Sequence, residues 1–494
     1  MAIVPADLFL SATLTADEAG RYLAGFGFAD PATADARLQA LAGDVQIREA
    51  LARLADVLLD TVKGAPDPDA GLAAFVRHVE SRSAKATFLE ALRADPRALG
   101  LLVDAAGRSP FVADALQRSP ELLHWLVTEV HRAPPGGDDL AADAAAMAAP
   151  HADAEAREAA LVRLQRRELL RVAVRDVLGR ESLDTVSRQL GALADVTLTE
   201  ALRAGVAGVV KAARGAPLPG RIGIIALGRL GASELDYAPD VELVFVYEPD
   251  AEDDPSAHTA LREVAGRTVD LLSRAASAGD LYRLDLPVHA AALAGAPAAS
   301  LRRWQAYCAG LSDHRLRLAF VRARAVAGDP GIQARTLAAF TAYAYEAGPV
   351  DGPLADLRRR LSAGEAGADD DVRNGVGGLA DIEAFTSTLQ LVAGRDRAGV
   401  RVPGTSAALA ALVEAGALTE QDGVRLADVF ATLRRVEQRL SLARGDLPPT
   451  LDDPGALDLA AAAFDQRDPD AFREHLYSER LTARAICRQA LTRL

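Results

Sequence analysis

The sequence predicts a mostly helical protein with a small α+β unit at its centre. Three observations carry this. Alanine and leucine abound while aromatic residues make up only 5% of the 494 positions, a composition that suits close-packed helices better than a sandwich or a barrel. Several helices announce their starts with a capping side chain followed by proline, as in Asp95-Pro96, Ser109-Pro110 and Ser119-Pro120. A single segment, Ile222 to Tyr247, reads as an apolar strand, a glycine-broken turn and a second apolar strand that opens with two acids.

Taken in order, residues 13 to 132 show helical spacing of apolar residues, for instance Leu99, Leu102 and Val103, then Leu122, Leu123 and Leu126. A loose stretch from Ala133 to His151 follows, and a domain boundary is expected near residue 153. Next comes a helix over about 156 to 179 whose arginines, Arg163, Arg166, Arg167, Arg171 and Arg175, read as a solvated face. A second helix, about 183 to 213, leads into the strand at Ile222. An acidic loop from Glu248 to Asp254, a long helix and a strand from Leu281 to Leu286 complete the central unit, 154–340. Helices return beyond it. A loop from Ala366 to Asp371 precedes a glycine-rich segment, Val372 to Glu383, and a later helix carries Leu426, Val429, Leu433, Val436 and Leu440 on one face. Pro448 and Pro449 interrupt before the last helices. The expected division is therefore 1–153 helical, 154–340 α+β and 341–494 a helical bundle.

Half of the residues are hydrophobic, so a chain of this length buries sizeable cores. A formal net charge of -14 argues against a general affinity for nucleic acid, whose backbone rewards basic surfaces, but leaves room for one nucleotide in a local pocket. Cys308 and Cys487 stand far apart without partners at metal-binding spacing, which implies neither a disulfide scaffold nor a zinc site. No apolar stretch reaches transmembrane length and the start does not read as a signal peptide, so a reducing cytoplasm is the expected location, with no membrane association.

The chemistry concentrates in the strand–turn–strand segment. Residues i and i+2 of a strand project from one face, so Asp240 and Glu242 point together and can share a hard cation such as Mg²⁺. Gly228 and Gly231 let the turn approach a phosphate closely. The same acids are also what a buried strand shows where it meets solvent. A dinucleotide-binding turn is disfavoured, because the glycines run G-x-x-G without the leading pair.

These landmarks together resemble the glutamine synthetase adenylyltransferase family, the bifunctional adenylyltransferase and adenylyl-removing enzymes of bacterial nitrogen control. The resemblance runs through Gly27-Phe-Ala-Asp-Pro31, Ser109-Pro-Phe-Val-Ala-Asp-Ala-Leu and Arg167-Glu-Leu-Leu-Arg-Val-Ala. It continues through Leu227-Gly-Arg-Leu-Gly-Ala-Ser-Glu-Leu-Asp-Tyr-Ala-Pro-Asp-Val-Glu, Tyr282-Arg-Leu-Asp285 and Val321-Arg-Ala-Arg-Ala-Val-Ala-Gly-Asp329, then Arg373, Gly377, Gly378, Asp381-Ile-Glu383 and Arg435-Val-Glu-Gln-Arg-Leu440. It implies a polymerase-beta-like nucleotidyltransferase domain flanked by helical domains. It also implies catalytic and metal-binding roles for Asp240, Glu242 and Asp285 with Mg²⁺ or Mn²⁺. Gly228, Arg229, Gly231 and Ser233 would face the nucleotide's phosphates, with Arg322 and Arg324 either at the same anionic site or in structural ion pairs. The nucleotide is ATP, or ADP and phosphate for removal, and the implied partners are glutamine synthetase and the PII signalling protein. Family members usually carry two catalytic halves; this chain looks like one, more similar to the N-terminal, adenylyl-removing half.

The sequence departs from the family pattern around that site. The usual serine-Asp-x-Asp reads Pro239-Asp240-Val241-Glu242, Arg229 stands where lysine is common, and Ala232 where glycine is common. Leu286-Pro-Val-His289 replaces an arginine-rich element, and Arg315-Leu316 a Trp-Glu pair. The longer glutamate displaces its carboxylate by about a bond length, and Mg²⁺ demands near-ideal geometry. The retained acids point to an active enzyme, and the clustered departures to a catalytically degenerate relative acting as a binding or regulatory protein. Asp381 and Glu383 read equally as helix caps or as groups reaching the nucleotide or metal, whereas His289 and His314 read as plain polar residues.

Overall fold

A computed structural model describes residues 3–149, 154–237, 240–277, 282–286, 296–310, 314–362, 370–444, 450–464 and 466–493. Pro239, His289, Pro448, Pro449, most of the 366–371 loop and the side chains of His314 and Arg315 lie outside them. Among the described residues the chain is mostly helical, with one five-stranded sheet, as the composition predicts. It divides into two compact units, one of residues 1–134, 167–182 and 442–445, the other of 135–166, 183–441 and 446–494.

The first unit is an array of helices. Asp95 accepts the N–H of Arg97 and Ser109 that of Val112, each before a proline at the first helical position, and Asp30 and Asp67 repeat the device. Ser119-Pro120 departs from it. Ser119 N–H instead closes the preceding helix on Ala115, and the next helix opens only at Leu122 without a side-chain cap. The arginine-rich helix, Ala154–Val177, is also a correction: Arg171 and Arg175 are buried, not solvated. Arg175 donates to the carbonyl oxygens of Val130 (2.6 Å) and Arg132 (2.7 Å) and to Glu181, while Arg171 pairs with buried Glu168. Carbonyls left open past the end of the helix Leu122–Glu129 supply the acceptors that make burying a guanidinium tolerable.

The second unit holds the sheet. Its strands are β1 (Gly220–Ala226), β2 (Asp240–Pro249), β3 (Arg283–Asp285), β4 (Ala299–Ser300) and β5 (Arg324–Gly328). The order is β3-β2-β1-β5, with β4 also on β2. β1 pairs antiparallel with both β2 and β5, whereas β3 and β4 lie parallel to β2 at its beginning and end. The β2 run Leu243 to Tyr247 is buried on both faces, as its unbroken apolar sequence requires, and exposure returns at the acid-bearing start and again at Glu248. Ile225, Val244, Val246, Trp304, Phe320 and Phe340 form the core behind it, with the Phe320 and Phe340 rings stacked 3.9 Å apart. A separate apolar cluster is built by the C-terminal helices, and Leu426, Val429, Leu433, Val436 and Leu440 are all buried in it as their spacing predicts. Among the described residues, no helix is long and apolar enough to cross a membrane.

Candidate active site

β1 delivers the chain into a single helical turn, Gly228–Gly231, held to the head of β2 by the Leu227 N–H donating to the Glu242 carbonyl at 2.9 Å. Gly228 has φ +53, and a Cβ built there would stand only 2.8 to 3.1 Å from the Glu242 carboxylate. Glycine is thus required twice over, by conformation and by the acid lying against it. At Gly231 a Cβ would run into the carbonyl oxygens of Arg322 and Ala226. Ser233, with φ +59, is left-handed without being glycine and completes the bend.

The parallel register of β2 and β3 sets Asp240 beside Arg283 and Glu242 beside Asp285. Arg283 grips Asp240 through two bonds, Nε at 2.7 Å and Nη2 at 3.1 Å, at a well-exposed position. Glu242 is half-buried, and burial, then the neighbouring Asp285 charge, pushes its carboxyl above the usual carboxylate range despite Arg322 and Arg229. Two acids side by side, with no hydrogen-bonded counter-charge among the described residues, are a donor set for a hard divalent cation. Among the described residues no group of three or more acid, histidine or cysteine side chains converges closely enough to hold an ion, so the fit is to the Glu242 and Asp285 pair, with Asp240 turned to Arg283.

The sequence-predicted arginines separate. Arg324 makes a bidentate pair with Asp195 (2.7 and 3.0 Å) and bonds the Leu230 carbonyl, which fixes the turn from below. Arg322 precedes β5 rather than lying on it, is buried, and donates to Thr405 Oγ1 at 2.5 Å while approaching Glu234 (3.5 Å) and Glu383 (3.8 Å). Arg229 turns from the glycine turn into a buried ionic cluster, pairing with Asp236 and lying 3.8 Å from Glu437. Glu437 in turn receives Arg373 (2.5 and 3.0 Å) and Arg434 (2.8 Å). Burial works against its ionisation, yet Arg373, Arg229 and Arg434 outweigh that and hold its carboxyl down at about 2. Burial raises Asp236 and Glu234 instead.

Residues 99–339 match the family model described as glutamate-ammonia ligase adenylyltransferase, and residues 355–491 the one described as PII-uridylyltransferase. The bifunctional glutamine synthetase adenylyltransferase/adenylyl-removing enzyme of Leifsonia xyli is 31% identical over 441 residues, 87% of this chain and 43% of that protein. Its counterpart in Nocardia farcinica is 32% identical over 91% of this chain and 46% of its own length. That of Mycobacterium marinum is 30% identical over 99% and 50%. The chain belongs to the glutamine synthetase adenylyltransferase family. It spans about half the length of the curated relatives it matches.

Within this member of the family, the structure brings Gly228, Gly231, Glu242, Asp285 and Arg322 around one turn, and leads Arg229 and Arg324 away into ion pairs. Glu383 reaches the same region through Arg322 and Arg373 (3.6 Å), whereas Asp381 does not. The Asp381 carboxylate accepts the Gly377 N–H at 2.9 Å and Arg360 at 2.6 Å, a structural knot. Sequence reasoning gave no role to Glu234, Asp236, Thr405, Arg434 or Glu437. A signal existed for two of them: Arg434 and Glu437 sit i, i+3 amid the apolar stripe of their helix, where charges are buried only in pairs. Thr405 carried none.

Proposed function

We propose that the chain is a nucleotidyltransferase that moves the adenylyl group on a tyrosine of glutamine synthetase, by phosphorolytic removal or by attachment from ATP. The observation that carries this reading is the Glu242 and Asp285 pair on adjacent parallel strands, set directly against the Gly228 turn. In this reading 1–153 and 341–494 are helical domains flanking a nucleotidyltransferase domain at 154–340.

For removal, an oxygen of inorganic phosphate forms a bond to the adenylyl phosphorus, the bond from phosphorus to the tyrosine oxygen breaks, and ADP leaves with a protonated tyrosine. For attachment, the tyrosine oxygen takes the α-phosphoryl of ATP and pyrophosphate leaves. Glu242 and Asp285 would hold Mg²⁺ or Mn²⁺, which when bound supplies positive charge to the oxygens of the displacement. Backbone N–H groups at the start of the turn, those of Gly228, Arg229 and Leu230, and the Ser233 hydroxyl would orient the phosphate, with Arg322 close by as a guanidinium. Arg229 and Arg324 stabilise the turn from outside the reacting atoms. We extend the proposal to glutamine synthetase as the protein substrate, named in the relatives' description, and to PII as a regulator, in keeping with the match of residues 355–491.

A second reading has its own support. Asp240 is occupied by Arg283 and the second strand acid is a glutamate, which favours a relative that binds nucleotide without turning it over. Incubation with Mg²⁺ or Mn²⁺, ATP and unmodified glutamine synthetase, followed by the mass of the protein, tests attachment; adenylylated glutamine synthetase with phosphate tests removal. Product in either direction supports the enzyme. Nucleotide binding by calorimetry with no product in both directions supports the second reading and overturns the first.

A further inference from the structure

The helix Leu379–Ala393 presents Glu383 one turn in from its N-terminus, immediately after the glycine-rich segment. Its carboxylate stands 3.6 Å from Arg373 and 3.8 Å from Arg322, in each case beyond hydrogen-bond distance. The neighbouring acids of the same cluster are used differently. Glu437 takes three short bonds from two arginines, and Glu234 accepts Thr405 N–H at 2.5 Å and Thr405 Oγ1 at 3.1 Å. Glu383 thus stands between Arg322 and Arg373 without a hydrogen bond to either.

The charge balance gives that position meaning. Around the glycine turn Arg229, Arg322, Arg373 and Arg434 pair with the carboxyl groups of Glu234, Asp236, Glu383 and Glu437, and Arg322 and Arg229 also act on Glu242, which lies beside Asp285. In a partly buried site each charge is felt strongly, so removing one acid moves the balance from cation towards anion. Without Glu383, Arg322 and Arg373 would lose a shared counter-ion, and their attraction for phosphate would rise.

We propose that Glu383 is a positioning residue of the catalytic centre, supplied by the C-terminal helical segment, which sets the site's charge to favour a divalent cation and to refuse phosphate that arrives without one. The inference rests on the reading of Glu242 and Asp285 as the cation-binding pair. It assigns the C-terminal segment a part in the chemistry: ordering the substrates so that the metal enters with, or ahead of, the anion.

Two titrations on the full chain test it, each on wild type, Glu383→Gln and Glu383→Asp. Free Mn²⁺ is followed by electron paramagnetic resonance, and ADP binding in EDTA by calorimetry, with melting temperatures as the check on folding. The expected result for Glu383→Gln is opposite shifts, on the order of fivefold weaker for Mn²⁺ and on the order of fivefold tighter for metal-free ADP, with Glu383→Asp close to wild type. A loosened structure would weaken both ligands together, and that outcome, or no shift in either, overturns the proposal. If wild type itself binds neither Mn²⁺ nor ADP, the cation-site reading fails first and the inference falls with it.

Discussion

Single residues decide what this site can do. Glu242→Gln or Asp285→Asn removes half of the cation pair, and we expect Mn²⁺ affinity to fall at least tenfold by paramagnetic titration with the melting temperature unchanged or raised, since each substitution also relieves like-charge repulsion. Equal Mn²⁺ binding by both variants and wild type would remove the pair from the site. A residue far from the chemistry gives a second test. His78 is buried, receives an N–H of Arg82 at Nε2 (2.9 Å), and burial, then the Arg82 charge, pulls its pKa down to about 4. It is therefore neutral in the folded state while the unfolded chain titrates near 6.5, so stability is complete above pH 6.5 and declines as pH falls towards 4. The loss amounts to at most about 3 kcal/mol. Denaturant unfolding at pH 7 and pH 4.5 should show it in wild type and lose most of it in His78→Gln. The sequence offered no hint of this histidine, because its environment is assembled by Phe88 and Pro120, which only the fold brings together.

At the scale of elements, the glycine turn is the joint most sensitive to change. Gly228→Ala places a methyl against the Glu242 carboxylate and strains a left-handed φ, so a loss of at least about 100-fold in any adenylyl transfer is expected with the helical content intact by circular dichroism. Unchanged activity would mean that the turn does not define the site. The turn, both acid-bearing strands and the buried stripe of the helix Glu420–Arg444 were legible in sequence, because period-2 and period-3.6 patterns and glycine punctuation are local signals. The ionic cluster behind the turn was not. Arg229 reads as a phosphate ligand until Asp236, Glu437, Arg373 and Arg434 are seen to surround it; Asp236 is near in sequence, but the other three come from the distant C-terminal segments. Replacing Glu437 by Gln should cost about 3–5 kcal/mol, because three guanidinium groups lose their shared partner. With its carboxyl held at about 2 against an ordinary 4.5, that stabilisation is present above pH 4.5 and is lost as pH falls towards 2. Urea midpoints of wild type and Glu437→Gln, measured at pH 7 and pH 3, should therefore converge at the lower pH.

Over the whole molecule, the fold class and the family were readable before any coordinates, since repeated capped helices and an ordered series of motifs survive at about 30% identity. The fate of the arginine-rich helix was not readable. Its charges looked solvated because a one-dimensional pattern cannot reveal that carbonyls of Val130 and Arg132 wait to accept them. The chain spans about half the length of its curated relatives, so what it does must be asked of this chain directly. The most direct measurement is the initial rate of ADP formation from adenylylated glutamine synthetase, phosphate and Mn²⁺, with wild type and Asp285→Asn side by side. A cation-assisted adenylyl-removing site on Glu242 and Asp285 predicts steady ADP release by wild type and a loss of at least about 100-fold in the variant. Equal rates from the two proteins would contradict it.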